Sequence, residues 1–167
     1  MGRIFVDLDG VLADFDAGAA SVLGMSCDDY QELHGAALMW KKLAEAPEFY
    51  ARLPWMLGGK TLWRELNEST TWSGPKPMIL TGLPLGDWAA PQKRQWVAEK
   101  LGGGIAVLTC MSRDKHTFCC AGDILIDDRE SARLDWETAG GRFILHTTAT
   151  ASLAALAEII AEPAAAE

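Results

Sequence analysis

Four carboxylates follow a short apolar segment near the start of the chain, in the stretch RIFVDLDGVLADFD at residues 3–16. Residues 3–6 favour a buried strand because Ile, Phe and Val suit a pleated, half-covered backbone. Asp7 and Asp9 then follow at the point where the strand ends and the chain turns at Gly10. Two residues apart in extended chain, their carboxylates point the same way and repel unless a cation or shared chemistry holds them together.

The same arrangement recurs further along the chain. A lone Asp-x-Asp pair is weak evidence, and we interpret the second pair, Asp14 and Asp16, as a solvated helix start. Thr81 and the pair Asp127–Asp128, however, also follow short apolar strands, in MILT and ILIDD. Ligands bind to open parallel sheets just beyond the carboxyl ends of the strands. We therefore expect these polar ends to converge on one crevice.

Such a crevice combines carboxylates, a hydroxyl group and a lysine, either Lys115 or Lys93. Hard oxygen ligands in this number suit Mg²⁺, which offsets the repulsion between Asp7, Asp9 and Asp128. The lysine supplies a point charge for a phosphate oxygen. Lys93 is the second choice, because it lies near the start of a predicted helix and is expected to point outward. The alternative interpretation is that the aspartates only cap helices and turns.

The elements that must position these residues alternate between strands and helices. This alternation predicts an α/β fold with a Rossmann-like parallel sheet that carries helices on both faces, and with a small helical cap insertion. Strands are predicted at residues 3–6, 78–81, 105–109, 124–127 and 142–146. Helices are predicted at residues 15–23, in APQKRQWVAEKLGGG at 90–104, at 129–139 and in the Ala-rich stretch 150–167.

The segment between Gly24 and Gly74 stands apart from this alternation. It has no clear strand, several helical turns and four of the seven tryptophans, namely Trp40, Trp55, Trp63 and Trp72. A connection of this length far exceeds the usual loop of a few residues. We therefore divide the chain into an α/β core of residues 1–20 and 75–167 and a helical cap of residues 21–74, which lies over the carboxyl edge of the sheet.

Composition bounds the possible functions. The 167 residues suffice for one sizeable core, and 49% hydrophobic with 23% charged residues is typical of a globular protein. No apolar run approaches the roughly 20 residues of a membrane span. No signal peptide is recognised, so we expect a cytoplasmic protein with reduced cysteines. The net charge of −8 argues against extended nucleic-acid binding, although a local cationic pocket still suits a small anion.

The motifs DLDGVLADF, ILTG, a lysine and GDILIDDR resemble the four motifs of the haloacid dehalogenase (HAD) phosphohydrolases. Within that superfamily, the chain resembles the 5'(3')-deoxyribonucleotidases. DGVLADF continues through Phe15 as in that family, and EFYARLPWMLGG, QKRQWVAEKLG, and RDK followed by GDILIDDR are similar to later segments of it. The likeness covers residues 3–130 and implies a HAD-like core.

The resemblance implies a role for each matching residue. Asp7 would be the nucleophile that takes the phosphoryl group, and Asp9 would protonate the leaving oxygen and later activate water. Thr81 would hydrogen-bond the phosphate, and Lys115 would neutralise it. The implied Mg²⁺ ligands are Asp7, the carbonyl of Asp9, and Asp128, with Asp127 in support. Phe15, with Phe49 or Tyr50 from the cap, would pack against the base.

Three features depart from the family pattern. TCMSRDK places extra residues before Lys115, which keeps Lys93 as the alternative. The cap is shorter than usual. Gly82 follows Thr81 where the family often has a small hydroxyl residue, and Gly82 remains a substrate-binding candidate. Arg113 is either a surface charge or a second phosphate contact.

Together these residues predict a Mg²⁺-dependent phosphatase of (deoxy)ribonucleoside monophosphates, acting through an aspartyl-phosphate. Two alternatives stay open: a HAD phosphatase of another small phosphoester or of a nucleic-acid 3'-phosphate end, and a non-catalytic nucleotide-binding module. The expected partner is a nucleoside monophosphate, with no membrane and no extended nucleic acid. A homodimer is left open.

Overall fold

The computed structural model describes residues 2–70 and 72–162. Five strands form one parallel sheet in the order β3-β2-β1-β4-β5. These strands are β1 (Ile4–Val6), β2 (Met78–Gly82), β3 (Val107–Cys110), β4 (Ile124–Asp127) and β5 (Arg142–Leu145). The predicted α/β fold with a Rossmann-like parallel sheet is confirmed.

Helices connect the strands and form the insertion. They are α1 (Phe15–Leu23), α2 (Cys27–His34), α3 (Ala36–Glu45), α4 (Gly59–Glu68), α5 (Ala89–Lys100), α6 (Arg133–Thr138) and α7 (Ala149–Ala161), with 3₁₀ helices at Ser112–Phe118 and Glu130–Ala132. The helix predicted at 129–139 is thus a 3₁₀ turn followed by α6. Residues 163–167 of the predicted terminal helix lie outside the described residues. No described helix combines the length and apolar character needed to cross a membrane.

Alternate residues of each strand face opposite sides of the sheet, as the pleat requires. On one side, Val6, Ile79 and Ile126 belong to a core shared with α1, α4, α5 and α7. On the other side, Phe5 and its neighbours on adjacent strands pack against Trp136 of α6. Helices on both faces are therefore confirmed, although the second face carries a thinner layer.

The insertion between β1 and β2 consists of two differently packed parts. Helices α1, α2 and α3 pack against one another, whereas α4 packs against α7. Between α3 and α4, the chain returns over the start of α1, where Met56 donates its backbone N–H to the carbonyl of Leu12 at 2.8 Å. The domain division at residues 21–74 stays a prediction.

Candidate active site

The register of the sheet brings three polar strand ends to one level. Val6 pairs with Ile79 on one side and with Ile126 on the other. The next residue of β1 is Asp7, while β2 continues through Thr81 and β4 ends at Asp127. All three of these polar residues are buried. These three polar residues therefore lie together at the carboxyl edge of the sheet, as predicted.

A tight turn after β1 brings the backbone of Gly10 close to Asp128. Gly10 has a φ of 76°, a left-handed conformation that favours glycine. A Cβ atom at this position would lie 2.2 Å from Oδ2 of Asp128. The absence of a side chain at Gly10 therefore allows both the turn and the close approach of the Asp128 carboxylate. The backbone N–H groups of Leu12 and Ala13 close the turn on the carbonyl of Leu8, at 2.9 and 2.8 Å.

Asp7, Asp127 and Asp128 form an acidic cluster whose candidate ligand oxygens lie within 4.8 Å of one another. Burial raises the pKa of Asp128 to about 7, and the charges of Asp7 and Asp127 add to the effect. Burial also raises the pKa of Asp127. A set of hard oxygen donors that repel one another fits a divalent cation of the Mg²⁺ class.

The carboxylate oxygens of Asp127 are already engaged by protein groups. Oδ2 accepts from Nζ of Lys115 at 2.6 Å, and Oδ1 accepts from the backbone N–H of Arg129 at 2.9 Å. Asp128 is more open to the cleft. Asp128 is consequently better placed than Asp127 to ligate a cation directly, in keeping with the supporting role expected for Asp127.

Lys115 connects the two buried strand-end carboxylates. Its Nζ lies 3.0 Å from Oδ1 of Asp7 and 2.6 Å from Oδ2 of Asp127, and its side chain is only 3% exposed. Burial lowers the pKa of Lys115, but the two carboxylates outweigh it and hold the pKa above its ordinary value. The cation is thus firmly charged beside Asp7.

Lys93 also belongs to the site, and the expectation that it points outward is wrong. Lys93 is fully buried, and its Nζ donates to Oδ2 of Asp9 at 2.5 Å, to Oγ1 of Thr81 at 3.0 Å and to the carbonyl of Gly82 at 2.7 Å. Its ammonium also lies 4.5 Å from the ring centroid of Tyr50. The two lysines therefore share the site: Lys115 beside Asp7, and Lys93 beside Asp9.

Asp9 differs sharply from Asp7 in its surroundings. Its Oδ1 is buried without a hydrogen-bond partner among the described residues. Burial raises the pKa of Asp9, and the charge of Lys93 opposes part of that rise. Asp9 is thus a carboxyl group with one oxygen held and the other available for a proton or a ligand.

Aromatic side chains form one wall of the cleft above these carboxylates. Phe15, Trp40, Tyr50 and Met56 line the cleft. Phe49 does not line it; this buried ring packs edge-on against Phe15 and Tyr50, with centroids 5.6 and 5.0 Å away. Phe49 therefore supports the wall, and Phe15 is the more open of the expected base contacts, because Tyr50 is also buried although it borders the cleft. Sequence reasoning left Trp40 and Met56 out, although both belong to the aromatic-rich insertion.

Two arginines, Arg113 and Arg129, occupy different positions around the cleft. The side chain of Arg113 is 81% exposed and lies by a neighbouring cavity, outside the carboxylate cleft. Arg129 was not singled out, yet it lines both the cleft and that cavity. Its place directly after Asp127–Asp128 was the available signal. Gly82 lines the cleft as expected, whereas Thr81 lies fully buried beneath it.

The chain is similar to a curated protein of known activity. No protein-family model matches it. The human (Homo sapiens) cytosolic-type 5'(3')-deoxyribonucleotidase is 28% identical over 166 residues, which cover 87% of this chain and 79% of that protein. This chain resembles the 5'(3')-deoxyribonucleotidases. The likeness inferred from the motifs is confirmed, and it supports a phosphatase.

Solved structures share the fold. A hydrolase from Streptococcus pneumoniae TIGR4 superposes with a TM-score of 0.57 at 14% identity, over 93% of this chain and 97% of that one. A HAD hydrolase, family IA, variant 3, from Entamoeba histolytica HM-1:IMSS has a TM-score of 0.43 at 14% identity, over 86% of this chain and 82% of that one. The first of these supports the fold assignment.

Proposed function

We propose that this protein is a Mg²⁺-dependent phosphatase that hydrolyses the phosphate monoester of (deoxy)ribonucleoside monophosphates through an aspartyl-phosphate. One observation carries the proposal. Asp7 and Asp9 lie on the same turn and each pairs with a buried lysine, yet Asp9 keeps one buried oxygen without a partner among the described residues and has a raised pKa. Neighbouring carboxyl groups in contrasting environments are how one site performs nucleophilic and acid–base work together.

Asp7 is the nucleophile in this mechanism. Its Oδ1 accepts the backbone N–H of Leu8 at 2.8 Å and pairs with Lys115 at 3.0 Å. The other oxygen, Oδ2, is left to attack phosphorus in line with the leaving oxygen. The acyl phosphate that results divides a difficult hydrolysis into two easier steps. Lys115 stays in place to offset negative charge as the phosphoryl group transfers.

Asp9 moves the protons. In the first step, its protonated carboxyl group donates to the departing nucleoside oxygen; in the second, the carboxylate accepts a proton from the attacking water. The unpartnered Oδ1 is the atom available for both transfers, because Oδ2 is held by Lys93 at 2.5 Å. The three contacts of Lys93 fix the orientation of Asp9 relative to β2.

Mg²⁺ fits the acidic cluster. Asp7, Asp128 and the backbone carbonyl of Asp9 would hold the ion, and Asp127 would support it through Lys115. When bound, the ion offsets the repulsion among these carboxylates and the negative charge of the phosphate. Burial, together with the charges of Asp7 and Asp127, raises the pKa of Asp128, and a divalent ion would offset this repulsion.

The aromatic wall favours a nucleoside as the leaving group. Phe15, Trp40 and Tyr50 border the same cleft as the reacting carboxylates. Flat rings stack on bases at about 1–3 kcal/mol per base. Stacking therefore favours the binding of a nucleotide over that of a bare sugar phosphate by about one to two orders of magnitude. The proposed partner is therefore a free nucleoside monophosphate, and a cytoplasmic location stays a prediction.

A phosphate-release screen tests this function. Purified protein with Mg²⁺ is assayed against thymidine, uridine and guanosine monophosphates, glycerol phosphate and a 3'-phosphorylated oligonucleotide, with the Asp7→Asn variant as control. We expect the nucleoside monophosphates to have the highest kcat/KM. Equal values for glycerol phosphate would indicate a general phosphatase. Nucleotide binding without any phosphate release would indicate a binding module.

A further inference from the structure

The carboxylate cleft contains a hydroxyl group that has no role in the mechanism above. Ser112 is the first residue of the 3₁₀ helix Ser112–Phe118, and it lines both the cleft and the neighbouring cavity. The residue is half-buried, and its Oγ has no hydrogen-bond partner among the described residues. A hydroxyl group in this position is available to a ligand.

The position of Ser112 depends on the absence of a side chain at Gly82. A Cβ atom on Gly82 would lie only 2.0 Å from Oγ of Ser112 and 3.1 Å from its Cβ. The hydroxyl group therefore occupies the space into which a residue at position 82 would project. The space beside Gly82, at the end of β2, is therefore filled by a hydroxyl group from a different segment of the chain.

The 3₁₀ helix also places Ser112 on the same face as Lys115. A 3₁₀ helix has three residues per turn, so side chains three positions apart lie on the same face. Lys115 is three residues after Ser112, and its ammonium lies 3.0 Å from Oδ1 of Asp7. One short helix thus carries a cation and a hydroxyl group on the same face, and Ser112 lines the same cleft as Asp7.

The neighbouring hydroxyl group of Thr81 is less accessible. Thr81 is fully buried, does not line the cleft, and accepts a hydrogen bond from Nζ of Lys93 at 3.0 Å. Its proton remains free, but its oxygen lies below the cleft surface. Ser112, by contrast, lines the cleft itself.

From this geometry we infer that Ser112 donates a hydrogen bond to a phosphoryl oxygen bound at Asp7, in the space that Gly82 leaves open. This inference rests on the proposed phosphatase function. It adds a substrate-binding residue contributed by the segment that precedes Lys115, and it gives Gly82 a specific purpose.

The first experiment replaces Ser112 by Ala, with Ser131→Ala as the matched control. Ser131 lines the neighbouring cavity but not the cleft. Two quantities are measured in Mg²⁺: kcat/KM for the best monophosphate, and the Kd of inorganic phosphate by calorimetry. A hydrogen bond to a charged group predicts a loss of about 10- to 100-fold in Ser112→Ala, with an unchanged melting temperature. Ser131→Ala should match the wild type.

The second experiment moves the hydroxyl group from one segment to the other. Gly82→Ser alone should impair phosphate binding, because its side chain meets Ser112. The double variant Gly82→Ser/Ser112→Gly removes that overlap and returns a hydroxyl group from β2. We expect it to bind phosphate several-fold more tightly than either Gly82→Ser or Ser112→Gly alone. A purely structural role for Ser112 predicts no such recovery.

The two measurements separate this inference from the proposed function. If no ester is hydrolysed but phosphate binds and Ser112→Ala weakens it, the proposed function fails and the role of Ser112 stands. Unchanged phosphate affinity and turnover in Ser112→Ala would overturn the role of Ser112 alone. If the wild type neither hydrolyses esters nor binds phosphate, both are overturned.

Discussion

Lys93 and Asp9 form an ion pair at 2.5 Å although they are 84 residues apart in the sequence. The contact ties α5 to the turn after β1, and Lys93 also holds the carbonyl of Gly82 at the end of β2. Three segments of the site therefore meet at one buried ammonium group. The geometry of Asp9 therefore depends on a residue of α5 that is distant in sequence.

Replacing Lys93 by Met should impair the acid–base step. Without this cation, the pKa of Asp9 rises further, because the charge and hydrogen bond of Lys93 no longer oppose the effect of burial. The value of kcat/KM reports the free enzyme, in which Asp9 must be protonated to donate to the leaving oxygen, so the basic limb of the pH profile of kcat/KM should move to higher pH. We also expect a rate loss of at least about 10-fold at pH 7.

The matched control is Lys100→Met, an exposed lysine on the same helix. It should leave both the pH profile and the rate unchanged. An unshifted basic limb in a folded Lys93→Met protein would mean that Lys93 does not govern Asp9. The melting temperature is measured alongside, because loss of a buried ion-pair partner also destabilises a fold.

Asp7→Asn should abolish turnover while leaving the fold intact, because an amide does not attack phosphorus. Asp9→Asn should lower kcat by about 10²- to 10⁴-fold, since the leaving oxygen then departs without a proton. Phosphate release from each purified variant measures both effects. Near-full activity in Asp7→Asn would exclude the aspartyl-phosphate mechanism.

Asp128→Asn should stabilise the protein when no divalent metal is present. The pKa of Asp128 is raised from 3.8 to about 7, so the folded state binds this proton more tightly than the unfolded chain does. Its contribution to stability therefore falls as pH rises from about 4 to about 7. In chelator, the variant should melt at a higher temperature than the wild type at pH 8, and at a similar temperature at pH 4.

Adding Mg²⁺ should reverse that order at pH 8. A ligand that binds only the folded state stabilises it by about 2.7 kcal/mol at one hundred times its Kd. The wild type should gain this stabilisation, and Asp128→Asn should gain much less at the same Mg²⁺ concentration. Equal gains in both proteins would show that Asp128 is not a ligand.

The positions of the carboxylates were easier to predict from the sequence than the positions of the groups around them. Asp7 and Asp127 could be placed because they follow apolar strands, and parallel register carries strand ends to one edge. Lys93 could not be placed, because its direction depends on contacts with the distant Asp9 and Thr81 rather than on its position in α5. Local pattern determines where a helix lies, while tertiary partners determine which polar side chain it buries.

The same distinction explains Phe49 and Ser112. An aromatic residue in the insertion was expected to contact the base, but whether a ring lines a cleft or supports its wall depends on the rings packed beside it. The placement of Ser112 against Gly82 joins a 3₁₀ helix to a strand end 30 residues earlier in sequence. No periodicity within either segment reports such a contact.

Lys115→Ala should cost at least about 2 kcal/mol of transition-state stabilisation, as loss of one electrostatic donor often does. The variant also leaves Asp7 and Asp127 without their shared cation. Unlike Lys93→Met, it should lower the rate across the whole pH range. The comparison is kcat/KM against that of Lys41→Ala, which removes an exposed lysine of α3. A Lys115→Ala loss no greater than that of the control would reject this role.

Trp40→Ala should separate base recognition from phosphate chemistry. Trp40 lines the cleft and packs 5.9 Å from the centroid of Phe15, so it is placed to form one side of a base-binding wall. We expect kcat/KM for thymidine monophosphate to fall by about 10-fold or more, in line with the loss of one stacking face. The value for glycerol phosphate should stay within about twofold, because that substrate has no base and stacking contributes nothing to it.

Leu38→Ala on the same helix is the control, since that side chain is exposed outside the cleft. Equal losses for both substrates would mean that the aromatic residues only pack the insertion, and would favour a phosphatase of simpler esters.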